Sequence, residues 1–388
     1  MYPISDDVPC GLVLSGGGAR GAFQVGAWEV LSSEAPELAR SVTVISGTSA
    51  GSINGALIAA GLPPREILEF WLSLAADPPV TANEELFRSF FRELFRIVLR
   101  QAHRSFRRRL RAARIVLRHA PRHALYRPSG LAAMLLEYVL LARYDNISDV
   151  LEGVRTSYVL DTSALRDRLA RTLGTTELRP TRIALAINTV DVRTGTVVRF
   201  VNRAPVNRAA RDDTRYHVHD AITVDMITAS AAIPLLFNSV RVDDADLWDG
   251  GLLVNTALAP AIALGARRII PVLVNSGATT TRTPMHLGDA VERLADAFLE
   301  NAYNVDRKLL LLGNDLAAAR PDLGLANVDL FEPIRPVSSR VFDAGSYLYF
   351  SRDVLMRMYE AGKDAARQWL ARGPRHDVRD EPVLGATG

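Results

Sequence analysis

The chain has 388 residues, 48% of them hydrophobic and 23% charged, with a net charge of only +3; this balance supports a large buried core and excludes a disordered or fibrous chain. Cys10 is the only cysteine, which excludes an internal disulfide and a cysteine-built zinc or iron–sulfur site and suits a reducing compartment. The opening MYPISDDVPC leaves no room for the basic and apolar regions of a signal peptide. The longest apolar stretch, residues 131–142, is interrupted by Glu137 and Tyr138 and falls short of the ~20 residues that span a bilayer. The expectation is a cytoplasmic protein whose membrane contact, if any, is peripheral, at the inner face.

In chain order, GLVLSGGGARGAFQVGAWEVL reads as strand, glycine turn and helix, with Phe23, Ala27, Val30 and Leu31 at helical spacing. SVTVISGTSAGSINGALIAAG repeats the plan: β-branched Val42, Val44 and Ile45 enter a sharp turn, and a small-residue helix follows to Gly61. Further strands are expected at 182–190, 197–201 and 268–274, the second an edge candidate and the third a core one. Strands alternating with helices imply a mainly parallel sheet covered on both faces, an α/β fold. From 77 to 180 strand signals give way to helical ones, over 84–119 and again over 130–142 with Ser129 as N-cap. The domain reading is one catalytic domain over 8–275 that contains this basic helical insertion at about 77–180. Residues 276–372 add helices and a strand near 328–334 packed on the same domain, with a last helix over 351–370. The polar stretch 373–388 is expected to fray as a disordered tail.

Gly47-Thr48-Ser49-Ala50-Gly51 has G-x-S-x-G spacing where a strand turns into a helix. Gly47 and Gly51 keep so tight an elbow free of side chains, and the amides opening the helix favour a developing negative charge beside Ser49. Gly16-Gly17-Gly18-Ala19-Arg20-Gly21 exposes backbone N–H groups suited to an oxyanion. The same run fits the dinucleotide fingerprint G-x-G-x-x-G, but that site wants an acid at the end of the next strand, where Ser46-Gly47-Thr48-Ser49 stands instead. A serine nucleophile needs a proton acceptor. Of the seven histidines, His103, His119 and His123 lie in the basic segment, His376 in the tail and His286 after a threonine-rich loop. His217 and His219 remain as alternatives for a base; their H-x-H spacing is too little for a metal site. Asp249-Gly250-Gly251 offers another acceptor, a carboxylate in a glycine turn among Leu247, Trp248, Leu252, Leu253 and Val254, where desolvation raises its pKa.

Taken in order, GGGARG, GTSAG and DGG, with a fourth block Ala229-Ser230-Ala231-Ala232-Ile233-Pro234 of the form A-S-x-x-x-P, resemble the patatin-like phospholipases of bacterial type over about residues 11–275. The helix carrying Glu360 and Gly362 resembles that family's C-terminal helix more loosely. The resemblance implies a three-layer α/β/α fold with a helical cap. It also implies a Ser–Asp dyad without histidine, in which Ser49 forms an acyl-enzyme and Asp249 takes its proton and then activates water. Amides of Gly17 and Gly18, joined by Gly16 or Ala50, would hold the oxyanion. Arg20, with Gly21 beside it, would engage a lipid phosphate or brace the turn. Ser15 stands where some relatives carry an acid. The implied substrate is a phospholipid or lysophospholipid, with no metal or cofactor. An acyltransferase using the same acyl-enzyme, and a catalytically idle lipid-binding regulatory module, are the alternatives.

Between Arg88 and Arg127 thirteen arginines face one acid, Glu93. Phe91, Phe95, Val98, Ala102, Phe106, Leu110, Ala113 and Leu117 recur there at steps of three or four, so the segment reads as amphipathic basic helix. Docking on an anionic membrane and pairing with the chain's own acidic remainder both fit. Nucleic acid does not, since no aromatic stacking platform accompanies the charge. Oligomeric state has no sequence signature in this reading.

Overall fold

A computed structural model describes residues 8–76, 81–86, 88–90, 92, 96, 152, 154, 156–179, 182–206, 208–211, 213–277, 287–336, 347 and 349–377. The chain forms two compact units, one of Met1–Val80, Thr162–Pro234 and Ser239–Gly388, the other of Thr81–Asp161 and Leu235–Asn238. Most of the basic segment, the expected 130–142 helix, His103, His119, His123, His286 and residues 378–388 lie outside the described residues.

In the larger unit, β1 (Cys10–Leu14) leads through a 3-10 turn into α1 (Gly21–Glu34) and α2 (Pro36–Ser41), and β2 (Val42–Thr48) leads into α3 (Ala50–Ala59) and α4 (Pro64–Ala76). The smaller unit has a sheet of β3 (Thr81–Ala82), β4 (Tyr158–Asp161) and β10 (Leu235–Phe237). The larger unit continues with α5 (Ser163–Leu173), β5 (Glu177–Leu178), β6 (Ala184–Asp191), β7 (Val197–Val201), α6 (Arg208–Arg211), β8 (Tyr216–Val218), β9 (Ile222–Thr223) and α7 (Val224–Ser230). Beyond β10 come β11 (Val240–Val242), β12 (Ala245–Asp249), α8 (Leu258–Ala263), β13 (Arg268–Val272), α9 (Leu287–Ala319), β14 (Asp329–Leu330) and α10 (Arg352–Arg372). The stretch 77–180, read as wholly helical, therefore holds β3, β4 and β5. Each has four residues or fewer, too short for a period-of-two pattern to register.

The main sheet runs β11-β12-β6-β2-β1-β13-β14, with β7 joined to β6 and β8 joined to β7. Its centre is parallel, through β6–β2, β2–β1, β1–β13 and β13–β14, while β12 and β7 pair with β6 antiparallel. Strand β7 is not an edge, because β8 covers its free side. The three layers follow from strand pleating, which sends alternate side chains to opposite faces. Leu12, Leu14, Ile45, Leu185 and Ile187 join the core under α1, α3, α4, α7 and α10. Val13, Val44, Ala184 and Ala186 join a second core with Leu258, Ala261, Tyr303 and Leu310 of α8 and α9. The start of the expected frayed tail is held in place: Asp377 donates its amide to Leu330 and its carboxylate accepts from Tyr303 and Arg307. Those partners are more than 40 residues upstream and give the tail no local signal.

Candidate active site

Strand β7 pairs with one edge of β6 from Ala186 to Val190, so β2 and β12 share the other edge. There β2 runs parallel to β6 until Thr48 meets Asn188, and β12 runs the opposite way until Asp249 meets Thr189. The two strands thus meet head to head along one line, and the residue after β2, Ser49, arrives beside the last residue of β12, Asp249. The Ser49 hydroxyl is near enough to the Asp249 carboxylate to favour its ionised form against burial.

Ser49 adopts φ 55° and ψ −123° as the residue preceding α3. A left-handed φ in a non-glycine residue costs on the order of 1–3 kcal/mol and persists only where surroundings enforce it. The enforcing contacts are visible. Ser49 donates its amide to Ser230 Oγ at 3.0 Å, and Ser230 Oγ donates to the Asn188 carbonyl at 2.6 Å. The Ser52 hydroxyl, 2.7 Å away, must then be the donor to Ser230, whose single proton is already used. Asn188 Nδ2 in turn donates to the Gly47 carbonyl at 2.7 Å. A Cβ on Gly51 would lie 2.1 Å from the Leu14 carbonyl oxygen, so only glycine lets α3 begin this close to β1. The same A-S-A-A-I-P block holds the aspartate, because Asp249 donates its amide to the Ala232 carbonyl at 2.9 Å. The role of Ser230 has no local signal, since its partners Ser49, Ser52 and Asn188 are all distant in sequence.

Asp249 is buried, and desolvation pushes its carboxyl up to about 7, although the Ser49 hydroxyl and the Gly251 amide, the latter at 2.7 Å, pull the other way. A carboxylate so placed is a much stronger proton acceptor than a surface aspartate. His217 and His219 sit on β8 and at its end, packed on the Phe200 ring.

The first glycine turn lies against this pair. Gly18 takes φ 53°, and a Cβ there would meet the Tyr347 carbonyl at 2.2 Å. The amides of Gly17, Gly18 and Ala50 have no acceptor among the described residues, whereas Gly16 donates its amide to the Asn255 carbonyl at 3.2 Å. Gly16 is therefore removed from the expected oxyanion donors: its neighbour Asn255, reached through the chain reversal after Asp249, already uses that N–H. Arg20 is fully buried, its Nη1 3.0 Å from Asp296 and its guanidinium 3.7 Å over the Tyr347 ring, while Tyr347 donates its hydroxyl to the same carboxylate. Of the two roles expected for Arg20, this geometry is that of a brace, since the guanidinium has no exposed surface to offer a phosphate. Gly21 packs against the Trp71 ring and donates its amide within the turn to Ala19 and Gly18. Gly250 and Gly251 form the turn after Asp249, and Leu252 and Leu253, which follow, are about half exposed. Among the described residues no group of three metal-ligating side chains occurs, and no helix is long and apolar enough to cross a membrane.

Comparison with known proteins gives one family. A family model described as patatin-like phospholipase matches residues 12–262. No curated protein matches the chain. A crystal structure of VipD from Legionella pneumophila is similar over 95% of this chain and 68% of that one, at 14% identity and a TM-score of 0.39. A complex of ExoU with SpcU from the type III secretion system of Pseudomonas aeruginosa is similar over 78% of this chain and 52% of the matched chain, at 16% identity and a TM-score of 0.25. This chain thus spans about half the length of that second relative.

Proposed function

The chain belongs to the patatin-like phospholipase family, a family of lipid hydrolases, and from that premise we propose that it cleaves fatty-acyl esters of phospholipid or lysophospholipid with Ser49 and Asp249 as a catalytic dyad. The observation that carries this reading is the meeting of β2 and β12 on one edge of β6, which sets Ser49 beside a buried carboxylate whose pKa is raised to about 7.

Ser49 Oγ attacks the acyl carbonyl carbon as its proton passes to Asp249. The tetrahedral oxyanion is held by the amides of Gly17 and Gly18, with Ala50 at the N-terminus of α3 as a third donor. Collapse breaks the ester C–O bond, and the leaving alcohol takes the proton from Asp249. Water then attacks the acyl-enzyme, gives its proton to Asp249, and the second collapse returns that proton to Ser49 and releases the fatty acid. Arg20, engaged by Asp296 and Tyr347, holds the glycine turn in register. Leu252 and Leu253 offer apolar surface to an acyl chain. No metal or cofactor takes part in this scheme. Residues 8–275 form the catalytic domain in this reading, with 276–372 packed on it. The cationic stretch between Arg88 and Arg127 brings the enzyme to an anionic membrane surface at the cytoplasmic face.

The test is hydrolysis of a short p-nitrophenyl acyl ester and of mixed phospholipid vesicles by wild type, Ser49→Ala and Asp249→Asn. Both variants should fold and lose about 10³-fold or more in kcat/KM. An Asp249→Asn enzyme that keeps its activity would return the role of base to His217 or His219. Transfer of the acyl group to an added alcohol in place of water would make the protein an acyltransferase.

A further inference from the structure

Helix α9 is anchored along its inner side. Tyr303 and Leu310 enter the second core cluster, Asp296 binds Arg20, Glu300 binds Arg335, and Asp306 accepts the Leu258 amide. A surface helix held in this way normally turns a polar face outward. On α9 the outward face is apolar: Leu294, Phe298, Val305, Leu309, Leu312 and Leu316 stand between 46% and 66% exposed. At 1.5 Å rise per residue they form a strip about 33 Å long, and strips of that size mark interaction surfaces more often than they occur by chance.

We propose that this strip is the interface of a two-fold symmetric homodimer in which α9 packs antiparallel against α9 of a second copy, centred on Val305. The spacing carries the argument. Positions 294, 298, 301, 305, 309, 312 and 316 follow steps of four, three, four, four, three and four, which read the same from either end. Turning a second helix about an axis at Val305 sets Leu294 opposite Leu316 of the second copy, Phe298 opposite its Leu312, Asn301 opposite its Leu309 and Val305 opposite its own equivalent. An isologous interface requires this kind of self-complementarity, whereas a surface shaped for a different partner has no reason to show it.

Charge points to the same occupant. Among the exposed described positions of α9 only Lys308 and Asp315 are charged, and in this register they face Ala302 and Ala295, so no like charges meet. An interfacial lipid-binding helix would flank its apolar strip with several cations, and α9 balances one cation with one anion. At roughly 100 Å² of exposed apolar surface for each of the six side chains, two copies would bury about 1,200 Å², the lower bound for stable interfaces.

The full-length protein tests this directly, because Cys10 is the only native cysteine and is buried, leaving introduced cysteines to report alone. Under mild oxidation Val305→Cys should form a covalent dimer by itself. Leu294→Cys and Leu316→Cys should each form no covalent dimer when alone and cross-link to one another when mixed. In sedimentation equilibrium the wild type should be dimeric at micromolar concentration, and Val305→Glu should weaken the dimer by about 100-fold or more with an unchanged circular dichroism spectrum. A wild type that stays monomeric at about 100 µM, or a Leu294→Cys protein that cross-links to itself, would overturn the proposal. So would a monomer whose binding to phosphatidylglycerol vesicles is lost on Leu309→Glu, which would give the strip to lipid.

Discussion

At Gly18 and at Ser49 the chain passes from strand to helix through the same left-handed region, with φ of 53° and 55°. At Gly18 the residue has no Cβ, and the conformation carries little strain. At Ser49 the side chain is retained, and the hydrogen bond its amide donates to Ser230 and the tight seat of Gly51 against β1 hold the backbone there. One turn is relaxed and leaves the Gly17 and Gly18 amides without an acceptor among the described residues; the other is strained and presents a hydroxyl. In the proposed mechanism the strained residue supplies the nucleophile and the relaxed glycine turn the oxyanion donors.

Breaking the relaxed turn should have the largest effect. Gly18→Ala sets a Cβ 2.2 Å from the Tyr347 carbonyl and adds the penalty of a left-handed alanine, so a loss of about 4 kcal/mol in urea unfolding is expected, together with loss of activity.

The strained side of the comparison has an electrostatic counterpart. The carboxyl of Asp249 stands near 7 when folded against an ordinary value of 3.8, so between those two values the folded state holds the extra proton. The contribution of Asp249 to stability therefore falls as pH rises from about 4 through 7, then levels off. Asp249→Asn lacks that dependence. It should be more stable than wild type by about 4 kcal/mol at pH 8, at about 1.4 kcal/mol per pKa unit, with the difference closing toward pH 4. Hydrolysis by wild type should rise through the same window near 7, since Asp249 acts as base only when ionised. A wild type and variant with parallel stability curves would contradict the raised pKa.

The smallest effect is expected behind the elbow. Ser230→Ala leaves the Ser49 amide and the Asn188 carbonyl without their buried partner. It should lower kcat by roughly 10- to 100-fold, about 1–3 kcal/mol, with KM little changed. The pH midpoint should stay near 7, because Ser230 does not touch Asp249. A change confined to KM would mean that Ser230 shapes binding and not the nucleophile's position.

The elements around the site were legible because each is a local pattern. β-branched Val42, Val44 and Ile45 enter β2, Val197–Val201 is a strand with the expected bounds, and Ser351 caps the helix that starts at Arg352. Asp249 was legible from its glycine turn and apolar neighbours. Less legible was α9, whose 33 residues have apolar side chains on both the buried and the exposed side and so lack the single stripe that marks an amphipathic helix. Ser230 was visible only as part of a block, since its three partners lie more than 40 residues away in sequence.

The sequence by itself determined the alternation of strand, glycine turn and helix, and the identity of a serine and an aspartate each placed in a glycine turn, because backbone sterics and burial act over a few residues. Tertiary structure alone decided that β2 and β12 would meet head to head on one edge of β6, that Gly16 would spend its amide on Asn255, that Arg20 would be enclosed by Asp296 and Tyr347, and that an apolar strip on α9 would face outward. Those outcomes depend on register between strands far apart in the chain and on which surfaces the core has room to cover.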